Sequence, residues 1–316
     1  MQNKMNTKVS VIIPIYKVEK FIERCAISLF EQTLSDMEYV FVDDCTTDNS
    51  INILKEVIKK YPNRSSQVKI VRHEKNLGLP SARKTGMSYV HGEFIAHCDS
   101  DDWVEKEMYE TLYKAAVNNN ADFVWCDYFR SDGKHRTVVS QKLQPKLMQG
   151  PIWNKLVKKE LYINNNIYFP TANKGEDGVL ITQLSYFSNK KYYIAQALYN
   201  YYINSSSICG VVTPDACIIK LKQEVENVYI KEKFLTEHGC VNEYKSLLLR
   251  WKILSRKNLF PLLSDYKYYE IWKSTFPEAD KPYLLSKEID IRLKLGYLLI
   301  RLRLYRIFKT LAYRWS

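Results

Sequence analysis

The apolar positions of the first hundred residues alternate between two rhythms. Val9–Tyr16 (VSVIIPIY) is a short β-branched run with the length and character of a strand buried on both faces. From Phe21 to Thr33 the apolar residues Phe21, Cys25, Ile27, Leu29 and Phe30 predict a helix packed on a sheet. Tyr39–Val42 is a second strand ended by Asp43 and Asp44, and Asn49–Lys60 a second helix stopped by Tyr61-Pro62. Val68–Val71, Ser81–Val90 and Glu93–Cys98 continue as strand, helix and strand. Asp102 followed by Glu105 reads as a capping box that opens a helix over Trp103–Val117.

Strands alternating with helices imply an α/β fold with a mostly parallel sheet. Such sheets bind ligands beyond the carboxyl ends of their strands. The acidic clusters fall there: Asp43-Asp44 after the second strand, and Asp99-Ser-Asp-Asp after the fourth. Beyond about residue 120 the pattern loosens, with aromatic strands at Phe123–Trp125 and Tyr199–Tyr202 and a helical, basic last hundred residues. There is no internal repeat and no low-complexity segment.

Composition narrows this picture. With 316 residues, 46% hydrophobic and 26% charged, the chain can build a large domain with an extension, or two modest domains. Its 24 tyrosines suit sugar surfaces and membrane interfaces, and ordinary cores as well. The net charge of +12 points to a polyanionic partner: nucleic acid, anionic lipid or a phosphorylated substrate. The cysteines (25, 45, 98, 126, 209, 217 and 240) form no CxxC pair, which argues for a reducing compartment over a disulfide framework or structural zinc. The amino terminus lacks a signal-type apolar region and no 18-residue apolar stretch occurs, so a cytoplasmic chain is expected.

Asp-Ser-Asp-Asp at a strand end offers hard oxygen ligands that suit Mg²⁺ or Mn²⁺. The alternative is that Asp102 caps a helix and its neighbours are solvated. Four segments occur in order: VSVIIPIY, FVDDCTTDNS, NLGLPSARKTG and GEFIAHCDSDDW. Together they closely resemble family 2 glycosyltransferases with the GT-A fold, strongly over the first 115 residues.

That resemblance implies a nucleotide-sugar half at 1–115, an acceptor half at 116–215 and a helical basic extension at 216–316. It implies that Pro14 and Tyr16 line the donor base, and that Asp44 accepts a hydrogen bond from a uracil ring. Asp99 and Asp101 resemble the DxD motif, Asp99 near the ribose and Asp101 on an Mn²⁺ or Mg²⁺ that bridges the diphosphate. Arg83 resembles the basic residue placed near the phosphates. Gly175-Glu-Asp-Gly resembles the family's acidic motif, with Asp177 the base of an inverting displacement; a helix N-cap is the alternative. Trp153, in WNKL, either stacks on an acceptor sugar or fills the core, and Glu176 is expected on the acceptor side. Three departures stand out: Lys17 replaces the usual Asn, Cys45 replaces the usual Gly, and Ile203-Asn204 follow Tyr201-Tyr202 where an Arg is common.

Ile291–Trp315 carries seven basic residues and no acid, with Tyr297, Ile300, Leu304, Ile307, Leu311 and Trp315 on one helical face. Such a helix either lies in the inner face of a membrane or packs on the catalytic domain. A nucleotidyltransferase would show a Gly-rich loop after the first strand, and an oxidoreductase a G-x-G-x-x-G; neither is present. No nucleic-acid-binding motif is visible, so no nucleic-acid partner is expected. A non-catalytic homologue is disfavoured because Arg83, Asp99, Asp101 and Asp177 are all in place. The expected activity is transfer of a sugar from a UDP-sugar to a glycan or lipid-linked acceptor in bacterial surface polysaccharide synthesis.

Overall fold

The computed structural model describes residues 7–142, 147, 148, 150–204, 207 and 210–308. The chain divides into two compact units, Met1–Gly210 and Val211–Ser316.

The first unit is built on one sheet. Its strands are β1 (Val9–Ile15), β2 (Met37–Asp43), β3 (Val68–Arg72), β4 (Phe94–His97), β5 (Trp103–Val104), β6 (Phe123–Ser131), β7 (Arg136–Val139), β8 (Lys155–Lys158) and β9 (Lys191–Tyr202). Their order is β3-β2-β1-β4-β8-β6-β9-β5, with β7 added to β6. β1 to β4 are mutually parallel, β8 runs antiparallel between β4 and β6, and β9 returns parallel to β6. The helices are α1 (Ile22–Phe30), α2 (Ser50–Lys60), α3 (Pro62–Ser65), α4 (Leu79–Met87), α5 (Met108–Asn118), α6 (Lys159–Asn164) and α7 (Glu176–Phe187).

Strand alternation divides the core in two. Val9, Val11, Ile13 and Ile15 of β1 join Tyr39 and Phe41 of β2 on one face, packed with Leu29, Leu54 and Leu112 from α1, α2 and α5. Ile12, Val40 and Val42 face the other way, against Ala82 of α4 and Leu180, Ile181 and Leu184 of α7. Both faces are therefore covered, and that is why these strands read as continuous apolar runs. Pro14 fits because even-numbered residues of β1 turn their backbone toward β4, as in Cys98 N donating to Ile12 O. Pro14 is next on that side, where β4 has already ended at His97, so its missing N–H removes no ladder bond.

The capping box expected at Asp102–Glu105 does not form. Trp103 and Val104 pair with Asn200 and Tyr199 as a strand, and the helix starts at Met108. The competing partners come from β9. The Asp102 carboxylate accepts Tyr199 Oη and Tyr202 N, each at 2.7 Å, and Glu105 accepts Asn200 Nδ2 at 2.8 Å.

The second unit is helical: α8 (Pro214–Glu237), α9 (Lys245–Ser255), α10 (Tyr266–Ser274), α11 (Asp280–Leu285) and α12 (Ile291–Arg301). Thr213, Asp265 and Asp290 cap α8, α10 and α12 through side-chain oxygens. Its centre holds Trp272, Tyr283 and Tyr297 together with a fully buried Arg256, which donates to Asp280 and to Phe276 O at 2.7 Å.

The single helix expected over Ile291–Trp315 ends at Arg301. Arg303 takes φ 59, a left-handed turn, and a short helical segment follows at 305–308. The expected apolar face is split, because Tyr297 and Ile300 are buried whereas Leu304 and Ile307 are exposed. Leu311 and Trp315 lie outside the described residues. No helix among the described residues is long and apolar enough to cross a membrane.

Candidate active site

The sheet order changes direction at β1, with β2 and β3 on one side and β4 on the other. The crevice beyond these carboxyl ends is the ligand-binding position of doubly wound sheets. Two of the departures from the resemblance, Lys17 and Cys45, lie at its rim. Lys17 and Cys45 have φ 54 and 57, the left-handed region that Asn and Gly occupy most easily. The FVDDCTTDNS segment holds the loop after β1: Lys17 N donates to Thr46 Oγ1, Val18 N to Ser50 Oγ and Glu19 N to Asp48. These bonds fix Tyr16, which stands 42% exposed at the end of β1. Pro14, expected on the same wall, is instead buried within the strand.

Asp44 is turned into the protein. Its Oδ1 accepts Leu77 N and meets His73 Nδ1, and its Oδ2 accepts Gly78 N, all at 2.8 Å. The carboxylate thereby shapes the loop that leads into α4, while Oδ2 keeps a lone pair for one further donor. Gly78 sits at φ +90, and Leu79 N donates to Asn173 Oδ1 at 2.9 Å. α4 thus starts at a fixed point.

One turn into α4 stands Arg83, 1% exposed. Its Nη2 donates to Asp99 Oδ1 at 2.6 Å and its Nη1 to Asp177 Oδ1 at 2.7 Å, with Glu176 Oε1 at 3.2 Å. Expected near phosphates, Arg83 lies among three carboxylates. Burial alone would lower its pKa, but Glu176, Asp177 and Asp99 outweigh that and raise it. This guanidinium joins the acidic motif after β4 to the first turn of α7.

The carboxylates are driven apart in pKa. Burial lifts Asp99 to about 6, with Asp177 and Asp101 adding to the lift and Arg83 opposing it. Glu176 is pushed well above its ordinary value by burial and by Asp177, with Arg83 opposing. Burial would also raise Asp177, but Arg83, a hydrogen bond from Glu176 and Ile152 N hold it below its ordinary value. Neighbouring acids with opposite shifts take different roles: Asp177 is the ionised one, and its side chain keeps 24% exposure. Gly175, at φ 82, starts α7, so Asp177 lies in the first helical turn and is not its cap. The helix dipole there also favours a negative charge.

Asp101 accepts Asn204 Nδ2 at 3.0 Å, and its carbonyl accepts Arg24 Nη2 at 2.9 Å. Arg24 lies 3.7 Å above the Trp103 ring, which fixes this end of the motif. No group of three potential metal ligands is assembled among the described residues. Asp99 and Asp101 still fit Mg²⁺ or Mn²⁺, which take one or two protein carboxylates and complete their shell with waters and substrate phosphates. The mutual repulsion seen at Asp99 is what a cation would relieve.

Trp153 is not brought to the crevice. It is buried, stacked on Tyr199 at 4.2 Å between ring centroids and on Tyr201 at 5.7 Å, with Tyr128 edge-on. Glu176, expected on the acceptor side, faces Arg83 in the interior.

Four residues of the site were given no role in it from the sequence. Tyr199 Oη accepts Asp99 N at 3.1 Å while donating to Asp102. Burial and Arg83 push His97 down to about 3. Asn204 holds Asp101. Lys155, pushed down to about 7 by burial, donates to Pro151 O and Asn154 Oδ1, tightening the turn whose Ile152 N reaches Asp177 at 3.3 Å. WNKL carried a signal, which pointed to the tryptophan, and Asn204 carried one as a departure from the usual Arg.

A Rossmann-like sheet with acids at the carboxyl ends of β2 and β4, extended through β8, β6 and β9, defines the GT-A α/β fold. The chain belongs to glycosyl transferase family 2, whose model matches residues 10–180. It is 34% identical to EpsJ, an uncharacterized glycosyltransferase of Bacillus subtilis (strain 168), over 51% of this chain and 51% of EpsJ. The chain therefore spans about half the length of that relative. Its fold resembles S. aureus TarS 1-349 in complex with UDP-GlcNAc, with TM-score 0.59, 21% identity, and coverage of 97% of this chain and 91% of that one. It also resembles the mannosyltransferase PcManGT from Pyrobaculum calidifontis in complex with GDP-Man and Mn²⁺, with TM-score 0.57, 16% identity and coverage of 96% and 83%.

Proposed function

We propose that the chain is an inverting, metal-dependent glycosyltransferase. It moves a sugar from a UDP-sugar to a glycan or lipid-linked acceptor during synthesis of a bacterial surface polysaccharide. The observation that carries this reading is Arg83, held at 2.6 Å from Asp99 and 2.7 Å from Asp177 at the carboxyl ends of the sheet. The UDP-GlcNAc bound by TarS supports a UDP-linked donor, and the Mn²⁺ bound by PcManGT supports a divalent cation.

Tyr16 flanks the base, with Asp44 Oδ2 the acceptor for a ring N–H. Asp101 would hold the cation, with Asp99 beside the ribose. When bound, Mn²⁺ or Mg²⁺ supplies a Lewis acid that neutralises the diphosphate leaving group. Asp177 takes the proton of the acceptor hydroxyl as that oxygen attacks the anomeric carbon. The bond from that carbon to the diphosphate breaks on the opposite face, and configuration inverts. A base of this kind contributes about 10²–10⁴-fold. Arg83 fixes the base relative to the donor motif, a positional effect on which transfer depends steeply. The basic carboxyl-terminal unit supports placing the reaction at the inner face of the cytoplasmic membrane.

The test is nucleotide release from a panel of UDP-, GDP- and CMP-sugars with Mn²⁺, Mg²⁺ or chelator, alongside titration of UDP binding. Metal-dependent release from one UDP-sugar is expected. Asp177→Asn should bind UDP as the parent does and lose about 10²–10⁴-fold in transfer. Full transfer by that variant removes the base assignment, and absence of UDP binding with Mn²⁺ removes the whole reading.

A further inference from the structure

α12 carries two apolar faces. One, formed by Gly296, Tyr297, Leu299 and Ile300, is buried in the second unit, where Tyr297 lies 5.5 Å from Trp272 and 5.8 Å from Tyr283 between ring centroids. The other is open: Ile291, Leu295, Leu298 and Leu302 are 74%, 42%, 39% and 66% exposed. Their spacing of four, three and four residues puts them in one stripe along the helix. Single exposed aliphatics need no explanation, but three in register on one helix, continued by Leu302 at its C-cap, do.

The charges beside the stripe indicate what covers it. At about 100° per residue, Arg292 flanks one edge, and Lys294 and Arg301 flank the other. Lys294 donates to Ser286 O and Arg301 Nη1 contacts Asp280 Oδ2 at 3.4 Å, so both are held at that edge. Residues 291–308 contain five basic residues and no acid. The acids beside α12 are already engaged, Asp280 by Arg256 and Arg301 and Asp290 by its cap on Arg292 N, so a second copy docked on this stripe would set cation against cation. An anionic bilayer meets both features: the aliphatic side chains enter the boundary between headgroups and acyl chains, and the arginines meet phosphate.

We infer that the outward stripe of α12, Ile291, Leu295, Leu298 and Leu302 with Arg292 and Lys294 at its edges, is a docking surface for an anionic phospholipid bilayer. The inference rests on the membrane placement proposed above and names its contact surface and lipid chemistry. It is tested by sedimenting the full chain with vesicles of phosphatidylcholine alone or enriched in phosphatidylglycerol, at low and high salt. Binding is expected on the anionic vesicles and should weaken with salt. The double variant Leu295→Glu, Leu298→Glu should lose about tenfold or more in vesicle partition, since each carboxylate must enter the interface. These positions are exposed, so its circular dichroism and UDP binding should match the parent, which separates this outcome from failure of the glycosyltransferase reading. Equal partition of the double variant, or equal binding to phosphatidylcholine alone, overturns the inference. So does a dimer in solution that the double variant breaks.

Discussion

Arg83→Met removes the cation shared by Asp99, Asp177 and Glu176 while keeping most of the buried side-chain volume. Taking one partner from a buried ionic contact costs about 3–5 kcal/mol, because the remaining charges stay desolvated. Asp99 and Asp177 keep 27% and 24% side-chain exposure, so solvent screens part of that cost. The expected loss therefore sits near the low end, about 3 kcal/mol at pH 8. The sign of its pH dependence follows from linkage. Without the guanidinium, Asp99 rises further from about 6 and Asp177 loses the partner that holds it below its ordinary value, so the variant's native state binds more protons than the parent's. Its stability relative to the parent then recovers as pH falls, by about 1 kcal/mol or more between pH 8 and pH 5. Arg83→Lys retains one charge but not the fork, and should fall between parent and Met variant. Urea unfolding followed by circular dichroism at pH 8, 6.5 and 5 provides the numbers. A Met variant within 1 kcal/mol of the parent, or a loss that does not change with pH, refutes the view of Arg83 as the electrostatic centre of the site.

Three further outcomes are expected. His97, with its native pKa depressed to about 3 from the ordinary 6.5, costs the native state stability as pH falls through that window. His97→Gln should reduce the pH slope of unfolding free energy between pH 6 and 4 by about 1.4 kcal/mol per unit, and an unchanged slope would exclude a neutral His97. Cys45→Gly relieves a side chain held at φ 57 and should stabilise the fold by up to about 1 kcal/mol in thermal or chemical unfolding; destabilisation would show that the turn is not strained. Gly78→Ala adds a Cβ 2.5 Å from Asn173 Oδ1 at φ +90, and should cost about 2–3 kcal/mol and weaken UDP binding. Parent-like binding in the Ala variant would separate that loop from the donor site.

The parallel half of the fold was legible because Val9–Ile15 and Met37–Asp43 are buried on both faces, and such strands carry long apolar runs. The family signature was legible for a related reason: Asp44, Arg83 and Asp99 sit at strand ends and helix starts, where local sequence sets local geometry. What stayed hidden depends on contacts between distant residues. Asp102 and Glu105 carry the pattern of a helix start, yet Tyr199, Asn200 and Tyr202, about a hundred residues later, claim their carboxylates. Trp153 in WNKL reads equally as platform or core until Tyr199 and Tyr201 are placed against it. Arg83 reads as a phosphate ligand because no one-dimensional pattern announces three carboxylates arriving from two other segments. In the carboxyl-terminal helix, periodicity located an apolar face, but α12 has two, and only burial distinguishes the inward one.

The Arg83–Asp177 and Leu79–Asn173 contacts each close a loop of 94 residues. Their consequence is kinetic. β1 to β4 and the helices between them meet through short connections, whereas α7 must return across β6 and β8 before its acids find the guanidinium. Long loops close late, because their entropy is paid before any contact rewards it. A chain emerging from the ribosome therefore assembles the strands that frame the donor crevice well before the group proposed to do the chemistry arrives. Until then Arg83 waits with at most one of its three partners, so the site is completed late in the folding of this unit.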